Sequence, residues 1–97
     1  MVYLLVDEIA EKYGSKWVEK YRDESGAQLI EKIFGWPENN VYVVVREEKQ
    51  RKKIQKELEK ELKKIREEFG DKAKSVKIKA ISTQEYNKKW KNVMRIM

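Results

Sequence analysis

Lys88, Lys91 and Arg95 stand at i, i+3 and i+7, a spacing that places three cations along one ridge of a helix. Lys77 and Lys79 lie two apart in a segment where Val76, Ile78 and Ala80 take the alternate positions, so in a strand both lysines share a face. Cations gathered in this way neutralise phosphates and release the counterions that a polyanion carries. These five residues are the candidate nucleic-acid contacts, with DNA and RNA both open. Residues 1–40 hold 5 basic and 8 acidic groups, residues 41–71 hold 10 and 8, and residues 72–97 hold 8 basic groups against the single acid Glu85. The formal net charge of +6 is therefore concentrated at the C-terminal end.

Two blander accounts of the same charges stand beside this one. Lysine and glutamate enrichment accompanies surface ion pairs in proteins of thermophiles, and a lysine run is often only a solvated face. The acidic first third could also neutralise the basic end, within the chain or between copies, which would make the chain a protein-interaction or self-assembly module. The Glu/Lys-rich middle further admits an engineered scaffold.

Other chemistries are weaker. With no cysteine and no histidine, the chain has no disulfide, no thiolate and no imidazole ligand or base. Residues 3–8 read Tyr-Leu-Leu-Val-Asp-Glu, the outline of a Walker B strand, but no Gly-Lys-Ser/Thr phosphate loop accompanies them. Asp7 and Glu8 are better read as first-turn helix acids that suit the helix dipole. Glu47 and Lys49 have the Glu-x-Lys spacing of metal-dependent nucleases, with Glu38 or Asp23 as the imagined further acid, yet they fall where a helix begins. Residues 9–18 have the flavour of a helix-turn-helix around Gly14, but Lys20 occupies the position that should be apolar. The expectation is a non-enzymatic protein without a metal or cofactor. Of the aromatic residues, Trp90 belongs to an apolar stripe and is read as core, whereas Trp36, beside Pro37, is read as a loop residue available to an interface.

The elements that must position these residues form an α+β domain, expected to be single over 1–97 and to pack as two compact layers. Residues 41–46 begin Val-Tyr-Val-Val-Val and predict a central strand covered on both faces. Ile54, Leu58, Leu62, Ile65 and Phe69 predict a long helix over 47–69, ended by Gly70. Residues 75–81 predict a lysine-bearing strand near an edge. Strand, helix and strand make a βαβ unit with parallel strands. Ser82 and Glu85 form a capping box that opens a C-terminal helix over 83–96, packed on the sheet or on the long helix.

The first forty residues admit two readings. In one, residues 2–6 are a short strand or the start of a helix to Tyr13, Gly14 stops it, and two helical segments follow, the second capped by Ser25 with Gln28 and ended by Gly35; in the other, Asp23-Glu24-Ser25-Gly26 turns between strands at 16–22 and 27–34. The apolar spacing of Leu29, Ile30 and Ile33 favours helix. No apolar run approaches the ~20 residues that span a bilayer, and the first 15 residues lack a signal-peptide pattern, so a soluble cytoplasmic protein with no membrane partner is expected.

Overall fold

A computed structural model describes residues 5–36 and 39–90. The first helix, α1, spans Leu5–Lys20. Val6, Ile9, Tyr13 and Trp17 recur along it at three, four and four, and Tyr21 continues the stripe just beyond its end, so one side packs on the sheet. Gly14 does not stop this helix. It lies inside it, where Ile33 approaches, and the burial of Ile9 and Trp17 on either side outweighs the cost of about 1 kcal/mol for a helical glycine. The continuous helix also removes the helix-turn-helix. Asp7 and Glu8 sit in its first turn, as expected.

After α1 the chain turns through residues 22–28. The Asp23 carboxylate accepts hydrogen bonds from the Ser25 N–H (2.8 Å), the Ser25 hydroxyl (2.6 Å) and the Ala27 N–H (2.9 Å), and Gly26 takes φ 89°. Ser25 therefore serves the turn and caps no helix. The next element is strand β1, Ile30–Trp36, not the helical segment that the apolar spacing favours. The hairpin reading holds for the turn and for the strand after it, while most of 16–22 is helical and contributes only the bridge between Arg22 and Gln28.

A register shift between Ile30 and Lys32 explains the misleading pattern. This bulge breaks the alternation that would mark a strand. Downstream of it Ile33 and Phe34 pack against clusters on opposite faces of the sheet, which puts apolar residues side by side. Trp36 is not a loop residue either; it ends β1, opposite Asn40.

Strand β2 is Asn40–Val45 and helix α2 is Glu48–Phe69, followed by a single 3-10 turn at Gly70–Ala73. Strand β3 is Lys77–Ser82. The sheet order is β1-β2-β3, with β1 antiparallel and β3 parallel to β2, so the central strand and the βαβ crossover are as the sequence indicates. Asn39, at φ 64°, closes the β1–β2 turn, and its carbonyl receives the Lys77 N–H at 2.9 Å, which fixes the start of β3.

One face of the sheet carries Ile30, Val41, Val43, Val45, Ile78 and Ala80 against Ile54, Leu58 and Ile65 of α2 and the stripe of α1. Gly35 leaves room for α1 to cross, since a Cβ there would lie 2.7 Å from Asp7 Oδ1. The Gln55 amide closes the outer edge of β3. It accepts the Ala80 N–H at 2.7 Å and donates to the Ile78 carbonyl at 3.0 Å.

Helix α3, Thr83–Lys89, starts at Ser82, whose hydroxyl accepts the Glu85 N–H at 3.1 Å as the capping motif requires. It turns back over the sheet face opposite α2, where Trp90 packs with Phe34, Val44 and Ile81. Of the expected helix 83–96, the residues after Trp90 lie outside those described.

Candidate functional site

Period-two alternation and the strand register lay out the α3-side face as three rows. Lys32, Val44 and Ile81 form the row under α3. Phe34, Tyr42 and Lys79 form the middle row. Trp36, Asn40 and Lys77 form the last. Burial falls off across them: Val44 is 1% and Ile81 5% exposed, Phe34 is 8% exposed, and Tyr42 and Trp36 are only half-buried.

Aromatic rings join the rows. Phe34 stacks on Tyr42 at 5.5 Å between centroids and meets Trp36 edge-on at 6.2 Å. Trp90 lies 4.7 Å from Tyr42, 6.1 Å from Phe34 and 6.2 Å from Trp36, so it joins the other three rings. Tyr86 of α3 completes the cluster against Phe34 at 5.8 Å. Such contacts add roughly 0.5–1.5 kcal/mol per pair beyond burial, which fixes the planes of the half-buried rings.

Lys77 and Lys79 rise from β3 at the border of this cluster, both exposed and, two residues apart, about 6.6 Å from one another along the strand. Lys88 is exposed on α3. Among the described residues, none of these three lysines meets a carboxylate, whereas Lys12 pairs with Glu68, Lys20 with Glu61 at 3.0 Å and Lys89 with Glu85 at 3.2 Å. No contact ties Lys88 to the pair on β3, and Lys91 and Arg95 lie outside the described residues. Trp36 joins the site, half-buried, through the sheet.

The sequence reading missed Lys32 and Phe34; Tyr42 and Tyr86 it counted only among the aromatic residues able to stack bases if exposed beside lysines. Lys32 Nζ donates to the Tyr86 hydroxyl at 3.1 Å and lies 5.4 Å from that ring, so it holds α3 against β1. The alternation Lys32, Phe34, Trp36 was the available signal, and it became visible only once β1 was a strand.

A concavity of about 620 Å³ lies elsewhere, between the turn after α1 and the first half of α2, lined by Tyr21, Leu29, Gln50, Lys53 and Glu57 among others. The Tyr21 hydroxyl and Gln50 Oε1 are buried there without a hydrogen-bond partner among the described residues. Burial pushes the Tyr21 hydroxyl above its ordinary pKa. The hydrogen bond to Glu61 raises Lys20 at the same rim. Acidic and basic groups alternate around this cleft, which gives it no preference for an anion. Glu47 and Lys49 stand exposed at the start of α2, 3.8 Å apart.

Compared with protein-family models, with curated proteins and with solved structures, the chain finds no match. No helix among the described residues is long and apolar enough to cross a membrane. Half-buried rings bordered by lysines without carboxylate partners among the described residues can stack planar groups and neutralise phosphates.

Proposed function

We propose that this protein binds nucleic acid in the cytoplasm without catalysing a reaction on it, through phosphate contacts that do not depend on base sequence. The observation that carries the reading is the pair Lys77 and Lys79, exposed side by side on β3 with no carboxylate partner among the described residues and with an aromatic cluster at their side. The +6 net charge, concentrated after residue 71, supports it by drawing polyanions toward this end of the chain. Lys88, exposed on α3, adds a further cation without a carboxylate partner among the described residues. Each phosphate neutralised contributes about 0.7 (single strand) to 0.9 (duplex) to the log–log slope of affinity against salt.

The test is fluorescence anisotropy of labelled oligonucleotides at low and moderate salt, for the wild type and for the double variant Lys77→Glu, Lys79→Glu. Salt-sensitive binding that the double variant loses is the expected result. Unchanged affinity in the variant overturns the assignment of these residues.

Assembly into homo-oligomers is a second reading with its own observation. Among the described residues no lysine beyond residue 71 pairs with a carboxylate from the first forty, so the acidic and basic parts of the chain are left complementary between copies. Light scattering in the same buffers decides it: a mass that grows with protein concentration and is indifferent to oligonucleotide would put assembly in place of nucleic-acid binding.

A further inference from the structure

Resting on the nucleic-acid reading, we infer that the ligand is single-stranded, with bases stacked on Trp36 and Tyr42 and the adjoining phosphates on Lys77 and Lys79. The part of the sheet face that α3 does not close, among the described residues, dictates the match. Helix α3 closes the row of Val44 and Ile81, and Trp90 packs on Phe34 and along one side of Tyr42, while Tyr42 and Trp36 stay only half-buried. Tyr42 is paired across the strands with Lys79, about 4.8 Å away, and Trp36 lies in the row of Lys77, two strand spacings or about 9.6 Å across. A base laid on either ring therefore has its own phosphate within reach of the lysine in the same row. The rows repeat every two residues, the step that an extended strand needs to place successive bases on successive rings.

A duplex cannot use this arrangement. Its bases are stacked on one another and present only their edges, so it would meet the lysines and leave the rings without a role. The charge is complementary to any polyanion; the rings are what select one whose bases are free. Every base has a π-face, so the site tolerates sequence and differs from groove readout. Trp90 has a positioning part: its contacts with Tyr42 and Trp36 hold both rings in place before a base arrives.

Three probes separate this inference from the reading beneath it: an oligothymidylate, a duplex of equal length and inorganic polyphosphate, which offers phosphates without bases. Anisotropy is measured for the wild type, for Trp36→Leu and Tyr42→Leu, which keep apolar bulk and lose the ring, and for the lysine double variant. The single strand should bind more tightly than the duplex. Each leucine variant should weaken it about tenfold with the duplex unaffected, and the lysine variant should weaken both.

If the leucine variants bind the single strand as the wild type does while the lysine variant does not, stacking is wrong and the phosphate reading stands. Tighter binding of the duplex also overturns stacking. Absence of binding to every probe at low salt removes both. Should a leucine variant fail to fold by circular dichroism, wild-type tryptophan fluorescence decides the same question, because Trp17 is buried on the other face. Quenching by oligothymidylate but not by polyphosphate is expected, and equal quenching by both refutes the inference.

Discussion

Gly14 and Gly35 both lie where α1 crosses β1, yet alanine should have opposite effects at the two positions. A Cβ on Gly14 would meet Ile33 Cδ1 at 3.5 Å, an ordinary contact, and alanine is the better helix former. Gly14→Ala should therefore stabilise the protein by about 0.5–1 kcal/mol. A Cβ on Gly35 would lie 2.7 Å from Asp7 Oδ1, 2.9 Å from Val6 Cγ2 and 3.0 Å from the Val6 carbonyl carbon, where backbone must move. Gly35→Ala should cost about 1–3 kcal/mol. The urea midpoints of the two variants, shifted up and down from the wild type, check the pair. Asp23 gives a pH signature at the same scale. Hydrogen bonds from the Ser25 hydroxyl first, and then the Ala27 N–H, hold its carboxyl below the ordinary carboxylate pKa. A depressed folded-state pKa stabilises above the unfolded value, and that stability is lost as pH falls through the folded value. The gap in urea midpoint between wild type and Asp23→Asn should be full at neutral pH and should narrow below about pH 4; a gap that widens in acid would contradict the turn's geometry.

At the scale of elements, the part of the sequence that reads cleanly is the part governed by a single period. Residues Ile54, Leu58 and Ile65 repeat as a helical stripe and are buried as one. Val76, Ile78 and Ala80 alternate with lysines and face the α2 side of β3. The residues from Leu29 to Trp36 resisted for a physical reason: a bulge and burial on both faces imitate helical spacing, and the pairing partner that settles the matter, β2, lies beyond the turn. The loss propagated to the site, since Phe34 and Trp36 become neighbours of Tyr42 only through that pairing. Another feature that no local pattern announces is the closure of β3 by Gln55, which reads in sequence as one more polar residue on a charged helix. Open strand edges recruit other chains. Gln55→Leu keeps the bulk but strips partners from the Ile78 carbonyl and the Ala80 N–H, a loss of about 1–3 kcal/mol for groups of this kind. The variant should unfold at lower urea and scatter more light as its concentration rises. A variant as stable and as dispersed as the wild type would mean that the edge needs no cover.

Over the whole molecule, the charges fall into two groups that salt should separate. Lys12 with Glu68 and Lys20 with Glu61 tie α1 to α2, but both lysines stay in solvent and each pair is worth about 0–1 kcal/mol. Against them stands the mutual repulsion of eight cations after residue 71, with Glu85 as the only acid there. This excess was legible from composition alone. What composition could not show is where the cations land, and the sheet gathers only Lys77 and Lys79 beside aromatic rings, leaving Lys88 on a separate element. Salt screens the repulsion and weakens the exposed pairs, two effects of opposite sign on folding, while its effect on phosphate binding has one sign. Raising salt from low to moderate should therefore leave the melting temperature level or slightly higher and lower oligonucleotide affinity steeply. In the Lys77→Glu, Lys79→Glu variant the slope for a single strand should shrink by about 1.4, the share of two phosphates, with the melting temperature near that of the wild type. A melting temperature that falls with salt in step with affinity would show that the same charges hold the fold together, and Lys77 and Lys79 would then be structural.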